Sequence, residues 1–231
     1  DPPREEARIQ RLDRAGKLGF CNSCAQRPSD RLQRALGRGG AMNRNVAMSL
    51  AWIRTGGACG LLGIASYLAA AFAPLPEVAA YAAAFAFGPL LGIGLVGARH
   101  LLALERPGPL VDIAALFGAA AGFTVLAMLT VQQAVFGRTA AAIAAAGETP
   151  DAQVLRQVQT GLDSVHLGLD VAWDVLIGTS VLLFGLAMLC QPSFGRLLGG
   201  LGVTLGALLL GFNLWYFPTP PADAGAIDWG P

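Results

Sequence analysis

Charge is scarce in this chain, and where it is missing decides the class of protein. Only 13% of the 231 residues are Asp, Glu, Lys or Arg, about half the share of an ordinary soluble domain. Hydrophobic residues make up 54%, and mean hydropathy is +0.54. Between Arg54 and Arg99 the single charged residue is Glu77. A soluble fold of this length could bury a large core, but it would still need a charged surface to stay in water. The apolar runs therefore face lipid or one another.

Other absences narrow the function. Of the four cysteines, Cys21 and Cys24 lie in the polar N-terminal part, and Cys59 and Cys190 lie in apolar runs far apart, so no disulfide framework is readable. There is no HExxH, no GxSxG, no Walker-type loop and no Cys/His pair at a useful spacing. No catalytic residue or metal site is therefore assigned, no cofactor is implied, and an enzyme is the weakest reading. No nucleic-acid partner is expected.

What charge there is falls unevenly. Residues 1–48 hold ten of the sixteen Lys/Arg and five of the fifteen acids, a local balance of +5, leaving six bases and ten acids, −4, for the rest. Residues 1–41 are arginine-rich and lack a uniform period, and no apolar stretch follows early enough for a signal peptide. In the segment "CNSC" two thiols could share a metal or form a disulfide. A zinc site would want four ligands, and no second Cys pair or His is near; a thioredoxin-like motif would want a βαβ unit. The expectation is a basic, disordered segment resting on anionic headgroups. Met42 offers an alternative start, in which case the residues before it are not native.

About 20 apolar residues are needed to cross about 30 Å of hydrocarbon, and five segments qualify, near 49–73, 79–104, 110–136, 165–190 and 196–217. "PLPE", "ERPGP", a long polar loop from Gly137 to Ser164, and "QPSFG" connect them, three of the four carrying helix-ending prolines. The expected fold is all-α, a transmembrane helical bundle over residues 42–217 with a polar tail at 218–231. Arginines near helix ends stay on the cytoplasmic side. With the N-terminus inside, Arg44, Arg54, Arg99, Arg106 and Arg196 fall inside, and only Arg138 and Arg156 fall outside. That points to a multi-pass protein of a bacterial inner membrane with a cytoplasmic N-terminus and Trp215 and Tyr216 at the outer interface. Glycine pairs at 56/60, 88/92, 118/122, 195/199 and 202/206 suit close helix packing inside the bundle.

The fourth span, "VHLGLDVAWDVLIG", holds the most unexpected residues. His166, Asp170 and Asp174 follow at i, i+4 and i+8, with Asp163 three residues before, so all four share one side of a helix. Asp174 lies roughly 13 Å into the span, near mid-bilayer. An ionised carboxylate there costs at least about 2.5–3.5 kcal/mol, so the stripe must face protein or water. Candidate partners in the same half are Gln132, Gln133 and Asn213, with Tyr67 and Tyr81; no Lys or Arg lies at that depth. That lack favours protonation, a bound cation or a wet cavity. One reading is an outer-facing polar pocket for a proton, a cation or a small ligand, formed by Asp170, Asp174, His166, Gln132, Gln133 and Asn213. The other is a set of neutral acids that only fasten the bundle. Three ligands on successive turns of one helix span too much length to converge on one metal ion. At the inner side, Arg99, His100, Glu105, Arg106 and Asp112 read as headgroup anchors, with Asp112 within reach of Arg99 or Arg106.

The segments "DVAWDVLIGTSVLLFGLAML" and "FGRLLGGLGVTLGALLLGFNLWYFPTPPADAG" resemble those of uncharacterised bacterial integral-membrane proteins of about six spans. A helix similar to Asp170–Trp173–Asp174 there precedes one that ends in a turn matched here by Asn213 to Pro221. The resemblance covers residues 163–231 and carries no activity with it. It implies that a sixth span would follow "DWGP". Two function classes remain in front: an ion-coupled carrier or ligand-binding protein in which the aspartates titrate, and an accessory or sensory membrane subunit in which they only hold helices together.

Overall fold

The computed structural model describes residues 41–217. Cys21 and Cys24, the basic segment before Ala41 and the tail 218–231 lie outside the described residues. Of two units, Asp1–Ala47 and Met48–Pro231, the first is described only as the start of a helix, and the second holds the bundle.

The described residues are all α, without a strand: α1 (Ala41–Phe72), α2 (Glu77–Glu105), α3 (Pro109–Val131), a π-turn (Gln132–Phe136), α4 (Gly137–Ala146), α5 (Pro150–Leu189) and α6 (Gly195–Tyr216). Five of them, α1, α2, α3, α5 and α6, are long and apolar enough to cross a membrane, and the protein is an integral membrane helical bundle. Local chemistry sets the boundaries. Pro74 and Pro76 separate α1 from α2, which opens with Glu77 in its first turn. Pro109 occupies the start of α3 after an extended Gly108, where a missing N–H costs nothing. Pro89 lies inside α2, beside Gly88 at a tight contact with α3 described below.

One expectation needs correction. Residues 137–164 are not a polar loop but helix on both sides of a short turn. "TAAAIAAA" is rich in the best helix former, so α4 continues α3 and the π-turn without a break. Gly147, at φ 61°, ends it in a conformation that suits glycine. Thr149 then caps α5, accepting from the Ala152 N–H at 3.4 Å, with Pro150 next. Polar residues such as Gln153, Arg156 and Gln157 imitate a loop, but they tolerate a helix that water covers. The 40 residues of α5 reach about 60 Å, and α3, the π-turn and α4 contribute 23, 5 and 10 residues in series. Both are about twice the hydrocarbon thickness. The excess forms a helical hairpin beyond it, with its tip at Gly147 to Thr149.

Glycines set the packing. A Cβ on Gly97 would lie 2.6 Å from the Gly56 Cα, and one on Gly94 3.0 Å from the Gly60 Cα, joining α1 to α2. Gly88 and Gly92 meet Gly122, joining α2 to α3. Gly185 meets Gly202 and Val203, and Gly206 meets Leu182 and the Gly178 carbonyl, joining α5 to α6. Gly195 alone of the expected pairs packs against nothing within 4 Å; its φ of 69° serves the turn into α6. Between α3 and α5 the fully buried Ser180 donates to the Ala114 carbonyl at 2.8 Å. Buried Gln191 donates to the Leu102 carbonyl at 3.1 Å, tying the turn after α5 to the end of α2. At that same end Arg99 pairs with Asp112 at 2.7 Å, the first of the two partners expected.

This packing predicts that Gly97→Ala loses about 1–3 kcal/mol through overpacking, whereas Gly57→Ala, with open space around it, stays within about 0.5 kcal/mol. Thermal unfolding of the two purified variants in detergent checks this. Equal melting temperatures would mean that α1 and α2 are not held at this contact.

Candidate functional site

The glycine contacts of α5 and α6 decide what faces Asp174. The two helices run antiparallel, with Gly185 beside Gly202, Leu182 beside Gly206, and Gly178 beside Leu210. One turn further along that register, Asp174 comes opposite Asn213. Asn213 and Asp170 are both close enough to the Asp174 carboxyl to act on it electrostatically. The Asn213 amide donates to the Leu209 carbonyl at 3.0 Å, which holds the side chain against its own helix. Asp174 is 8% exposed, the most deeply buried carboxylate among the described residues. No arginine shares its level by position in the helices: Arg54, Arg99, Arg106 and Arg196 lie toward one end, and Arg138 and Arg156 lie on the hairpin.

Its surroundings are aromatic as well as polar. Phe87, Val125 and Met128 form a buried cluster against which Tyr67, Leu169 and Trp173 pack, and the Tyr67 and Phe87 rings approach to 4.9 Å. The neighbour of Asp174 in sequence therefore anchors α5 to α2 and α3. Toward the hairpin, half-buried His166 meets Phe136 of the π-turn edge-on at 5.3 Å. This contact sets the π-turn, with half-buried Gln132 and Gln133, beside the His166 level of α5. A π-turn inserts one extra residue and offsets the helix faces on its two sides, frequently where helices line a site.

Of the residues that the sequence points to, Asp174, Asp170 and Asn213 stand together, and His166 lies two turns of α5 away from Asp174. Gln132 and Gln133 open the π-turn whose last residue, Phe136, meets His166. Tyr67 belongs to the aromatic cluster. Tyr81 turns away: its hydroxyl donates to Glu77 at 2.7 Å on the surface. Asp163, grouped with the stripe by spacing, is exposed, because the helix at that point has passed beyond the packed part of the bundle. No group of three or more His, Cys, Asp or Glu that could hold a metal ion occurs among the described residues.

Two further residues share the His166 side of α5, which meets α3 and the π-turn. Gln159 Oε1, His166 Nε2 and Trp173 Nε1 are buried and have no hydrogen-bond partner within the protein. They recur at every seventh position, so the three project from nearly the same side of α5. The polarity of Gln159 and the indole N–H of Trp173 were open to sequence reading at that spacing; their burial was not. A shallow groove lies elsewhere, on α6 between Ala207, Leu208, Gly211, Phe212 and Trp215, and its apolar and aromatic lining suits lipid.

Comparison with protein-family models, with curated proteins and with solved structures finds no match to the chain. What the protein does has to be read from its own residues.

The helix register predicts that Asn213→Leu loses about 1–3 kcal/mol, because the buried Asp174 carboxyl then faces an apolar side chain. Replacing Asp174 by Leu as well should recover part of that loss, and a double-mutant cycle of thermal unfolding reads the coupling. Additive losses would show that the two side chains do not interact.

Proposed function

We propose that the protein binds a small polar or cationic species, the proton included, at Asp170 and Asp174, with Asn213 holding the inner carboxyl and His166, Gln132 and Gln133 lining the approach from the outer side. The burial of Asp174 beside a second carboxylate carries this reading. Two carboxyls on adjacent turns, 6 Å apart along the axis by helix rise, repel when both ionise, and a proton or cation removes that repulsion. The rest of the bundle makes its polar contacts singly, as Ser180 does with the Ala114 carbonyl. That habit favours the alternative, in which Asp174 and Asn213 are one more fastener within an accessory or sensory subunit.

Thermal unfolding of wild type, Asp170→Asn and Asp174→Asn separates the two readings when measured across pH, with and without monovalent, divalent and organic cations. A binding site predicts that both variants fold and that Asp174→Asn loses the wild-type response to pH or to a cation. A wild-type response in both variants would leave only the fastener.

The same reading orients the chain with its N-terminus in the cytoplasm of a bacterial cell, on the arginine distribution, and puts the hairpin tip outside. In a Cys-free background, Glu148→Cys should react with an impermeant thiol reagent in intact cells and Arg106→Cys should not. The reverse pattern would invert the topology and turn the approach to Asp170 toward the cytoplasm.

A further inference from the structure

The side of α5 turned away from the bundle carries an apolar stripe of its own. Val154, Val158, Gly161, Val165, Gly168 and Ala172 follow at alternating steps of four and three, so they stay within about 40° of one line along the helix. All six are exposed, with Val154, Val158 and Val165 at 59%, 50% and 54%. A Cβ on Gly161 or Gly168 would meet nothing within 4 Å. The packed elements lie on other sides: α3 and the π-turn meet Ser180 and His166, and α6 meets Gly178 and Gly185. Asp151 in the first turn of α5 ends the stripe on one side. On the other, the next two positions of the pattern, Val175 and Thr179, are half-buried.

Its composition does not suit lipid as the cover. The outward sides of α1 and α6 carry bulky side chains, Leu61 and Phe72 on one, Leu205 and Phe212 on the other, whereas no residue of the stripe is larger than valine. Small residues four apart, as Gly168 and Ala172 are, let a second helix approach closely in a membrane. Acyl chains also cannot reach the whole stripe. Val154 lies about 16 Å before Val165, where the apolar span begins, so this end stands beyond the hydrocarbon.

We infer that the stripe is where two copies of the chain meet, α5 beside α5 and parallel, about a two-fold axis along the membrane normal. Copies threaded through one bilayer share an orientation, so a two-fold contact brings each residue of the stripe to its own counterpart. Glycine then meets glycine at 161 and 168, valine fills the levels between, and a seam repeating every 3.5 residues keeps that register. Charge favours a second copy over an unlike partner. Identical chains bring like charges together at a cost, and the positions beside the stripe, Leu155, Gln157, Leu162, Ser164, Leu169 and Val171, are all uncharged. Arg156, Asp163 and Asp170 point nearly opposite, each two residues from a stripe residue and so about 200° around the helix. A partner that recognises charge has nothing to hold here. The contact leaves Asp170 and Asp174 untouched and stands whether or not they bind anything.

Disulfide formation between copies of the full chain in membranes tests the inference. In a Cys-free background, Val158→Cys and Val165→Cys should each give a covalent dimer on mild oxidation, because each thiol faces its counterpart. Arg156→Cys and Asp163→Cys, on the far side, should not. Energy transfer between labelled chains diluted into lipid vesicles should report an association that Gly168→Leu weakens about tenfold or more by overpacking the seam. Space around Gly168 is open, so that variant should fold; Gly161→Leu reads the same seam if it does not. Equal cross-linking at all four cysteines, or an association that neither leucine variant weakens, overturns the seam. Wild type without energy transfer overturns the second copy, even if its stripe cysteines join another protein in cells.

Discussion

Backbone against backbone, with glycine at the crossing, is the contact on which this bundle depends. Helices in lipid gain little from hiding apolar side chains, so they associate where small residues let them come close enough for dispersion to act over the whole interface. Gly56 on Gly97, Gly88 on Gly122 and Gly185 on Gly202 are such crossings. Each also fixes a register, because no neighbouring residue could take the glycine's place without collision. The register of α5 on α6 then has a consequence one turn beyond the last glycine contact, where Asn213 comes opposite Asp174. A site with two polar partners from different helices follows from packing among residues that have no polar side chain at all.

Against that apolar background, a few buried polar groups join helices. Ser180 and Gln191 each donate to a carbonyl of another helix, spanning positions far apart in sequence. Arg99 and Asp112 pair across the tight turn between α2 and α3, where the side chains remain partly exposed and the ion pair contributes modestly. The side of α5 that meets α3 carries further polar atoms. Its polar atoms are several, lie on one helix, and in three cases meet no protein partner. Unpaired buried polar atoms cost free energy.

The hairpin changes what that row is connected to. Because α5 begins at Pro150, the helix that holds Asp170 and Asp174 continues without interruption past His166 to Gln159. The π-turn between α3 and α4 lies at the level where this helix leaves the bundle, and Phe136 closes against His166 there. A loop in place of the hairpin would have left His166 at a frayed helix start, unable to hold a fixed position toward either aspartate.

The sequence by itself determined the class of protein, five of its helices and the stripe that holds Asp170 and Asp174, because hydropathy over about 20 residues and a 3.6-residue period are local properties of the chain. It also pointed to the glycines, since small residues four apart lie on one helix face. Residues 137–164 read as a loop by their polarity but fold as helix, because there polarity and helix propensity disagree and propensity prevails. The sequence could not choose among Gln132, Gln133, Asn213, Tyr67 and Tyr81 as company for Asp174. That choice depends on which helices touch and at what register, a matter settled by glycine contacts between segments distant in the chain. Tertiary structure alone decided that Asn213 meets Asp174, that Tyr81 turns to Glu77, that Asp163 stays in the open, and that Gln159, His166 and Trp173 bury polar atoms along one face. Burial is a property of neighbours, and α5 acquires its neighbours only when the helices pack.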